Sequence, residues 1–400
     1  MKKNIFLLLI MIMLFASTNV HAQGAYVDVC NSRCDYTSID DALSDVENGV
    51  YDEVGSLEIA VSTWNEQSLS DHTLNIPIKI SFNNSAAVIN GNGATIKSNY
   101  EIEFNARNLD IKNTNYVFTN TNSNYVKPFL LFETSNLNID NLNVTSNKKC
   151  GCSDFANIGI YADYGNRVIK NTTIKNFSYG IATEDGNLNV DECNLSDNYF
   201  SLAAFSTKGF VSNSKLGRMI TSGDFSIKED NDLGDLKVKM FEPTTYDDNA
   251  DSICANFSND YIYVLNLDNV SVDMKKSIEV DLKNDGEVKN ILSLFKEGNI
   301  NSDDFAFEVS NPEVAEVNDK GDIKLLSKGE TEITASNENT KEKYTLILKV
   351  TSSNSANPVS PVKPVIDLKN PLTGTNSTIL FMILLITSIG LISLYRLKKN

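Results

Sequence analysis

Asp140, Lys170 and Asp191 are the residues of this 400-residue chain whose types and spacing could do acid–base chemistry. Cleaving a glycan needs a carboxylate pair at a set separation, or a positioned base with a cation beside it. In a repeating chain such groups would gather on one face, at offsets near 21 or 42 residues. Asp140 and Asp191 flank Lys170 at equivalent places of the repeat set out below, and the column then runs to Ser212. Alternating signs suit a surface ion-pair ladder, which contributes little stability. That ladder is the expected role, with Asp140, Lys170 and Asp191 as the catalytic alternative. Asp163 and Glu184 are also 21 apart, but Phe205 takes the next place. With Arg167, Arg218 and Asp185 they form no recognised motif and read as solvated turn residues.

Other chemistries are scarce. His21 and His72 are the two histidines, which excludes multi-histidine metal sites. The six cysteines, at 30, 34, 150, 152, 193 and 254, lack paired Cys-x-x-Cys zinc spacing. Cys30 and Cys34 are close enough to bridge a small loop. A direct Cys150–Cys152 bridge would be strained, so either could instead find Cys193 or Cys254. No cofactor or metal is expected. The net charge is −17, with no basic run outside the termini, which argues against nucleic acid as a partner.

The elements that would position these residues repeat. Ile139-Asp-Asn141-Leu-Asn-Val144, Ile169-Lys-Asn171-Thr-Thr-Ile174, Val190-Asp-Glu192-Cys-Asn-Leu195 and Val211-Ser-Asn213-Ser-Lys-Leu216 share one pattern, in steps of 30, 21 and 21. Ile160, Ile181 and Leu202 form a second set, again 21 apart. Short β-rich runs at this period predict a solenoid. Helical repeats need longer units, and leucine-rich repeats need a denser Leu pattern. Asn at a bend can hydrogen-bond to the Asn one coil above, which satisfies polar groups otherwise left unpaired. Residues 21 apart should therefore be neighbours: Ile160 with Ile181, Ile181 with Leu202, Ile169 with Val190, and Val190 with Val211.

These segments, with Ile89-Asn-Gly91-Asn-Gly93-Ala-Thr-Ile96, resemble the pectate-lyase-like right-handed parallel β-helix superfamily. So does the region from Cys30 to Leu43, where that family places a short strand and a capping helix. Ile39, Ala42, Leu43 and Val46 share a helix face, with Ser38 placed as the cap. The resemblance implies a β-helix head over residues 25–267, of which 226–267 read either as closing coils or as a bridge. Polygalacturonase-like members would need an Asp trio, Gly-His-Gly and Arg-x-Lys; the scarcity of His excludes them. Lyase-like members need an Arg or Lys base and often Asp-bound calcium.

From residue 270 separate strands alternate with Gly, Asn and Asp: 277–282, 305–309, 314–317, 322–326, 331–335 and 344–350. The text Ser310-Asn-Pro312, Val314-Ala315, Gly321, Lys328-Gly329 and Thr331-Glu-Ile-Thr-Ala335 resembles the group 2 bacterial immunoglobulin-like domain. That implies a β-sandwich over 270–351, mostly a spacer in surface proteins, with an insert around 284–301 that could form a helix. The fold class expected is thus all-β: a parallel β-helix followed by an immunoglobulin-like sandwich.

The ends carry targeting patterns. Lys2, Lys3, the apolar run Ile5 to Phe15 and Val20-His21-Ala22 predict a secretory signal over 1–22, cut between Ala22 and Gln23. Residues 352–369 hold Pro358, Pro361 and Pro364 and read as an extended stalk, roughly 3 Å per residue. Residues 370–400 open with Asn370-Pro371-Leu372-Thr373-Gly374, continue into the uncharged apolar segment 379–394 and end in a basic cluster. That order resembles a Gram-positive sortase sorting signal, with Asn where the commonest motif has Leu. The resemblance implies that a sortase attacks the carbonyl of Thr373, releases Gly374 onward and joins Thr373 to peptidoglycan, after a membrane-held stage. A single-pass membrane anchor is the alternative. Together these readings imply a wall-anchored surface protein whose head binds or adheres to a glycan or host-surface ligand. The rival is a wall-anchored polysaccharide lyase or glycoside hydrolase.

Overall fold

The computed structural model describes residues 24–119, 128–149, 157–241, 260–265, 270–283, 289–298 and 300–351. The expected signal segment with Ala22 and Gln23, the expected stalk, the expected sorting signal Asn370 to Gly374, the segment 379–394, and Cys150, Cys152 and Cys254 lie outside the described residues. The fold is all-β, built on one large sheet of parallel and antiparallel pairs.

Its parallel part grows coil by coil. Ala25–Val29 pairs with Leu57–Val61, and that strand with Ile78–Phe82. From Ile78 one inward column runs through Ile102, Leu130, Ile160, Ile181, Leu202 and Met219 to Ile262. A second runs from Ile89 through Ile111, Ile139, Ile169, Val190 and Val211 to Ile227. A third runs from Ile96 through Tyr116 and Val144 to Ile174. All of these side chains are buried. At about 1.5–3 kcal/mol for each large apolar side chain, the columns supply the main drive for folding. The 21-residue register is thus realised, and the arrangement is compatible with a β-helix.

The coils turn where asparagine allows it. Asn113, Asn141, Asn171 and Asn213 follow equivalent strands with φ of 55°, 56°, 50° and 47°, a region in which a Cβ is crowded and Asn is better tolerated than most residues. Gly91 serves a different need at the equivalent place of an earlier coil. A Cβ there would come within 2.7 Å of Asn113 O, so the close approach of two coils requires glycine. A ladder of amides runs along another edge: Asn136 donates to Asn108 at 2.6 Å, Asn166 to Asn136 at 2.9 Å, and Asn187 to Asn166 at 2.7 Å.

The first coil is closed by the helix Ile39–Glu47. Ser38 Oγ accepts from Asp41 N at 3.1 Å, and Gln67 Oε1 accepts from Ile39 N at 3.1 Å, so two of its free N–H groups are satisfied. Ile39, Ala42, Leu43 and Val46 face the core. His72, buried beneath the helix, lies 2.7 Å from Asp40 and 3.4 Å from Glu47.

At the other end, Phe225–Ile227, Lys237–Phe241 and Tyr261–Leu265 continue the parallel pairing. Strand Ser271–Asp281 then starts against Ser226 and Ile227 and continues in parallel with Glu342–Thr351. Gly329–Asn337 pairs antiparallel with Glu342–Thr351 and with Ala306–Val309, and Ala315–Val317 pairs with Ile323–Leu325. The short helix Ile291–Phe295 falls within the insert and is capped by Asn290 Oδ1. Among the described residues no helix is long and apolar enough to cross a membrane.

Candidate functional site

The register puts Asp140, Lys170 and Asp191 in one column on the second face. Lys170 is the cross-strand partner of both aspartates, and Ser212 follows Asp191. Lys112 precedes Asp140. The column does not stop at Ser212. Val211 pairs with Ile227 and Ile227 with Val272. Lys228, just past the end of its strand, donates its N–H to Val211 O at 3.1 Å, and Asp273 follows Val272, so the line continues to Lys228 and Asp273. Asp273 in turn pairs with Lys343. Sign alternates from Lys112 to Asp191, lapses at Ser212, and resumes from Lys228 to Lys343.

Direct ion pairing is not what holds this stripe. Lys112 reaches sideways to Glu66 at 3.5 Å, and no ion pair within 4.0 Å joins Lys170 to Asp140 or Asp191. The carboxylates are bonded by the turn that follows them. Asp140 Oδ1 accepts from Asn171 Nδ2 at 2.7 Å. Asp191 Oδ1 accepts from Asn213 Nδ2 at 2.9 Å and from Ser212 Oγ at 2.8 Å. These bonds, Asn213 first, then Ser212, with the Lys170 charge adding to them, hold the Asp191 carboxyl below its ordinary value. The positive φ at Asn171 and Asn213 aims each amide back at the preceding coil. In place of the expected ladder of ion pairs, Asp140 and Asp191 are held by amide and hydroxyl donors, Lys112 turns to Glu66, and Lys170 makes an ion pair with neither aspartate.

A cleft of about 400 Å³ opens where the stripe lapses, lined by Phe210, Ser212, Lys228, Asp273 and Lys343, with Glu229 and Asp230. Phe210 and Ser212 are two apart on one strand, so their side chains share its outer face. Burial raises the Asp273 carboxyl above its ordinary value, Lys228 and Lys343 pull it down, and Glu229 pushes it up again. An aromatic ring, two ammonium groups and a half-buried carboxyl thus converge on one open volume. Among the described residues no three His, Cys, Asp or Glu side chains are placed to hold a metal ion.

Two expectations are corrected. Arg167 and Asp163 are not solvated turn residues; they are 1% and 6% exposed. Arg167 sits in an inward column between Leu137 and Leu188 and donates to the carbonyls of Ala162 at 2.8 Å, Asn187 at 3.1 Å and Asp185. Burial drags its guanidinium down to about 10, opposed by Asp163 and, more weakly, by Tyr161 and Asp185. It acts as an internal clasp for the turn at Asp185–Gly186, out of reach of any ligand. Its equivalence to Leu188, 21 residues on, was the available signal. Glu184 pairs in register with Phe205. Arg218 leans over the Tyr199 ring at 4.1 Å and bonds Asp260 at 2.8 Å.

The cysteines divide in two. Cys30 and Cys34 form a disulfide, with Cα atoms 5.7 Å apart, and the loop they close returns Tyr36 to the edge of Ala25–Val29. Cys193 is a free, buried thiol pushed up to about 12 by burial, and its Sγ donates to the carbonyls of Asp191 at 3.2 Å and Ile169 at 3.5 Å. Comparison with protein-family models, with curated proteins and with solved structures returns no match.

Proposed function

We propose that the protein is a surface-displayed glycan-binding adhesin, exported by its signal segment and joined to peptidoglycan at Thr373 by a sortase. In this reading the parallel coils are a right-handed β-helix head and residues 270–351 an immunoglobulin-like domain. The observation that carries the binding role is the cleft over Phe210, where an aromatic ring and flanking charged side chains offer both faces that a pyranose needs: a CH-rich stacking surface and hydrogen-bond partners. A glycan array probed with the secreted protein tests it. Binding that Phe210→Ala reduces at least tenfold supports the reading, and an array without signal removes it.

Asp273 favours a second reading. A carboxyl raised by burial inside a cleft beside Lys228 and Lys343 has the character of a general acid, which fits a lyase or hydrolase. Turnover of a bound glycan that is lost in Asp273→Asn would replace the adhesin by the enzyme.

A further inference from the structure

The cleft does not offer a uniform field. Asp273 and Lys343 stand on neighbouring strands about 4.8 Å apart. Lys228 directly follows the strand Phe225–Ile227 that pairs with the strand of Asp273, so the three run plus, minus, plus. Glu229 and Asp230, exposed beside Lys228, add two carboxylates at that end of the cleft. One pyranose of an extended β-linked chain advances by nearly the same distance, so each sugar faces one strand. Same-sign groups of the protein then recur every second sugar.

We propose that the cleft takes a zwitterionic linear glycan, with acidic and amino groups on alternating sugars; this rests on the glycan-binding reading above. A chain with a carboxylate on every sugar sets one against Asp273, and a chain with one on every second sugar leaves Asp273 facing a neutral sugar. A chain with an amine on every sugar sets amines against Lys228 and Lys343. Like charges so placed are strongly disfavoured. An acid–amine–acid trisaccharide meets an opposite charge at each step.

The charges are available for this. Among the described residues neither Lys228 nor Lys343 makes an ion pair within 4.0 Å, and Lys343 is exposed. The upper part of the stripe repeats the design out of phase: Asp140, Lys170 and Asp191 run minus, plus, minus, and Ser212 separates the two frames. A strictly alternating chain satisfies one frame at a time. The lower frame is the one with an open volume and the Phe210 ring beside it, so it is the one assigned.

De-N-acetylated hyaluronan, in which glucosamine alternates with glucuronate, is the direct probe. Native hyaluronan and chitosan oligosaccharides present the acidic and the amino group alone. Titration of the full secreted protein at low salt should give at least tenfold tighter binding of the zwitterion than of either single-sign chain. Asp273→Lys, checked for folding by its thermal melt, should turn the preference towards hyaluronan. Equal or tighter binding of hyaluronan or chitosan, lost in Phe210→Ala, overturns the zwitterion and leaves the glycan reading standing. Absence of binding to all three overturns the proposal, and the array then judges the glycan reading separately.

Discussion

Lys296 Nζ lies 2.6 Å from Glu342 Oε1, with the two side chains 11% and 5% exposed. Glu342 also accepts the hydroxyls of Tyr344 at 2.6 Å and Thr340 at 2.8 Å. This small network sits where Glu342–Thr351 meets Ser271–Asp281, so it fastens the end of the coils to the last strand. Removing one partner of a buried pair strands the other charge. Lys296→Met should therefore lose about 3 kcal/mol in urea unfolding, on the usual scale for such pairs. Lys296→Met with Glu342→Gln should lose at least about 1 kcal/mol less, because the amide still accepts from Tyr344 and Thr340 without a bare charge. Additive losses would show that the pair contributes nothing of its own.

Arg167 gives a second expectation. Arg167→Leu restores an unbroken apolar column with Leu137 and Leu188 but leaves three carbonyls without their donor. At about 1–3 kcal/mol for each stranded polar group, the variant should be destabilised by at least about 2 kcal/mol despite its better hydropathy. Hydrogen exchange should speed up at Asn187 and Lys208, whose N–H groups bond to the neighbouring turns. A variant as stable as the parent would mean that water replaces the guanidinium.

The turn column can be tested by side-chain shape. Asn171→Gly keeps the positive φ and loses only the exposed amide bond to Asp140, so it should cost about 1 kcal/mol. Asn171→Val should cost about 2 kcal/mol or more, because a β-branched side chain is strained there. Thermal melts of the two variants decide it.

How much of this was legible in the sequence follows from where the period is kept. Ile160, Ile181 and Leu202 pair because every step between them rebuilds the same coil, and Asp140, Lys170 and Asp191 come into register for the same reason. The continuation to Lys228, Asp273 and Lys343 was hidden. The strands there are still adjacent, but the successive steps from Ser212 through Lys228 and Asp273 to Lys343 are 16, 45 and 70 residues, not 21. Residue type misled at Arg167, where a long cation fills an apolar place because its head finds carbonyls inside. The helix at Ile39 was legible in full, since cap and apolar spacing are both local.

Binding should depend on acidity. A raised carboxyl takes up its proton at a higher pH than a free aspartate, so Asp273 loses its charge early as pH falls. Affinity for a zwitterionic glycan should therefore weaken on acidification, beginning above the ordinary aspartate range near 3.9. Folding carries the opposite sign: protonation of Asp273 favours the folded form, and that contribution is lost as pH rises through its folded pKa. Asp273→Asn should flatten the upper part of the binding profile. A profile unchanged by that substitution would place the titrating group elsewhere.

Attachment has its own test, by fractionation of cells. Thr373→Ala with Gly374→Ala should move the protein from the wall to the membrane or the medium. An unchanged wall fraction would end the sortase reading.

The shared strand Ser271–Asp281 has a mechanical consequence. Tension on a tethered chain would enter at Thr351 and leave towards the coils at Ser271. Because the two strands run parallel, these points lie at opposite ends of the pair. The hydrogen bonds between them stand across the line of pull, so a load from Thr351 shears the whole row together and cannot peel it one bond at a time.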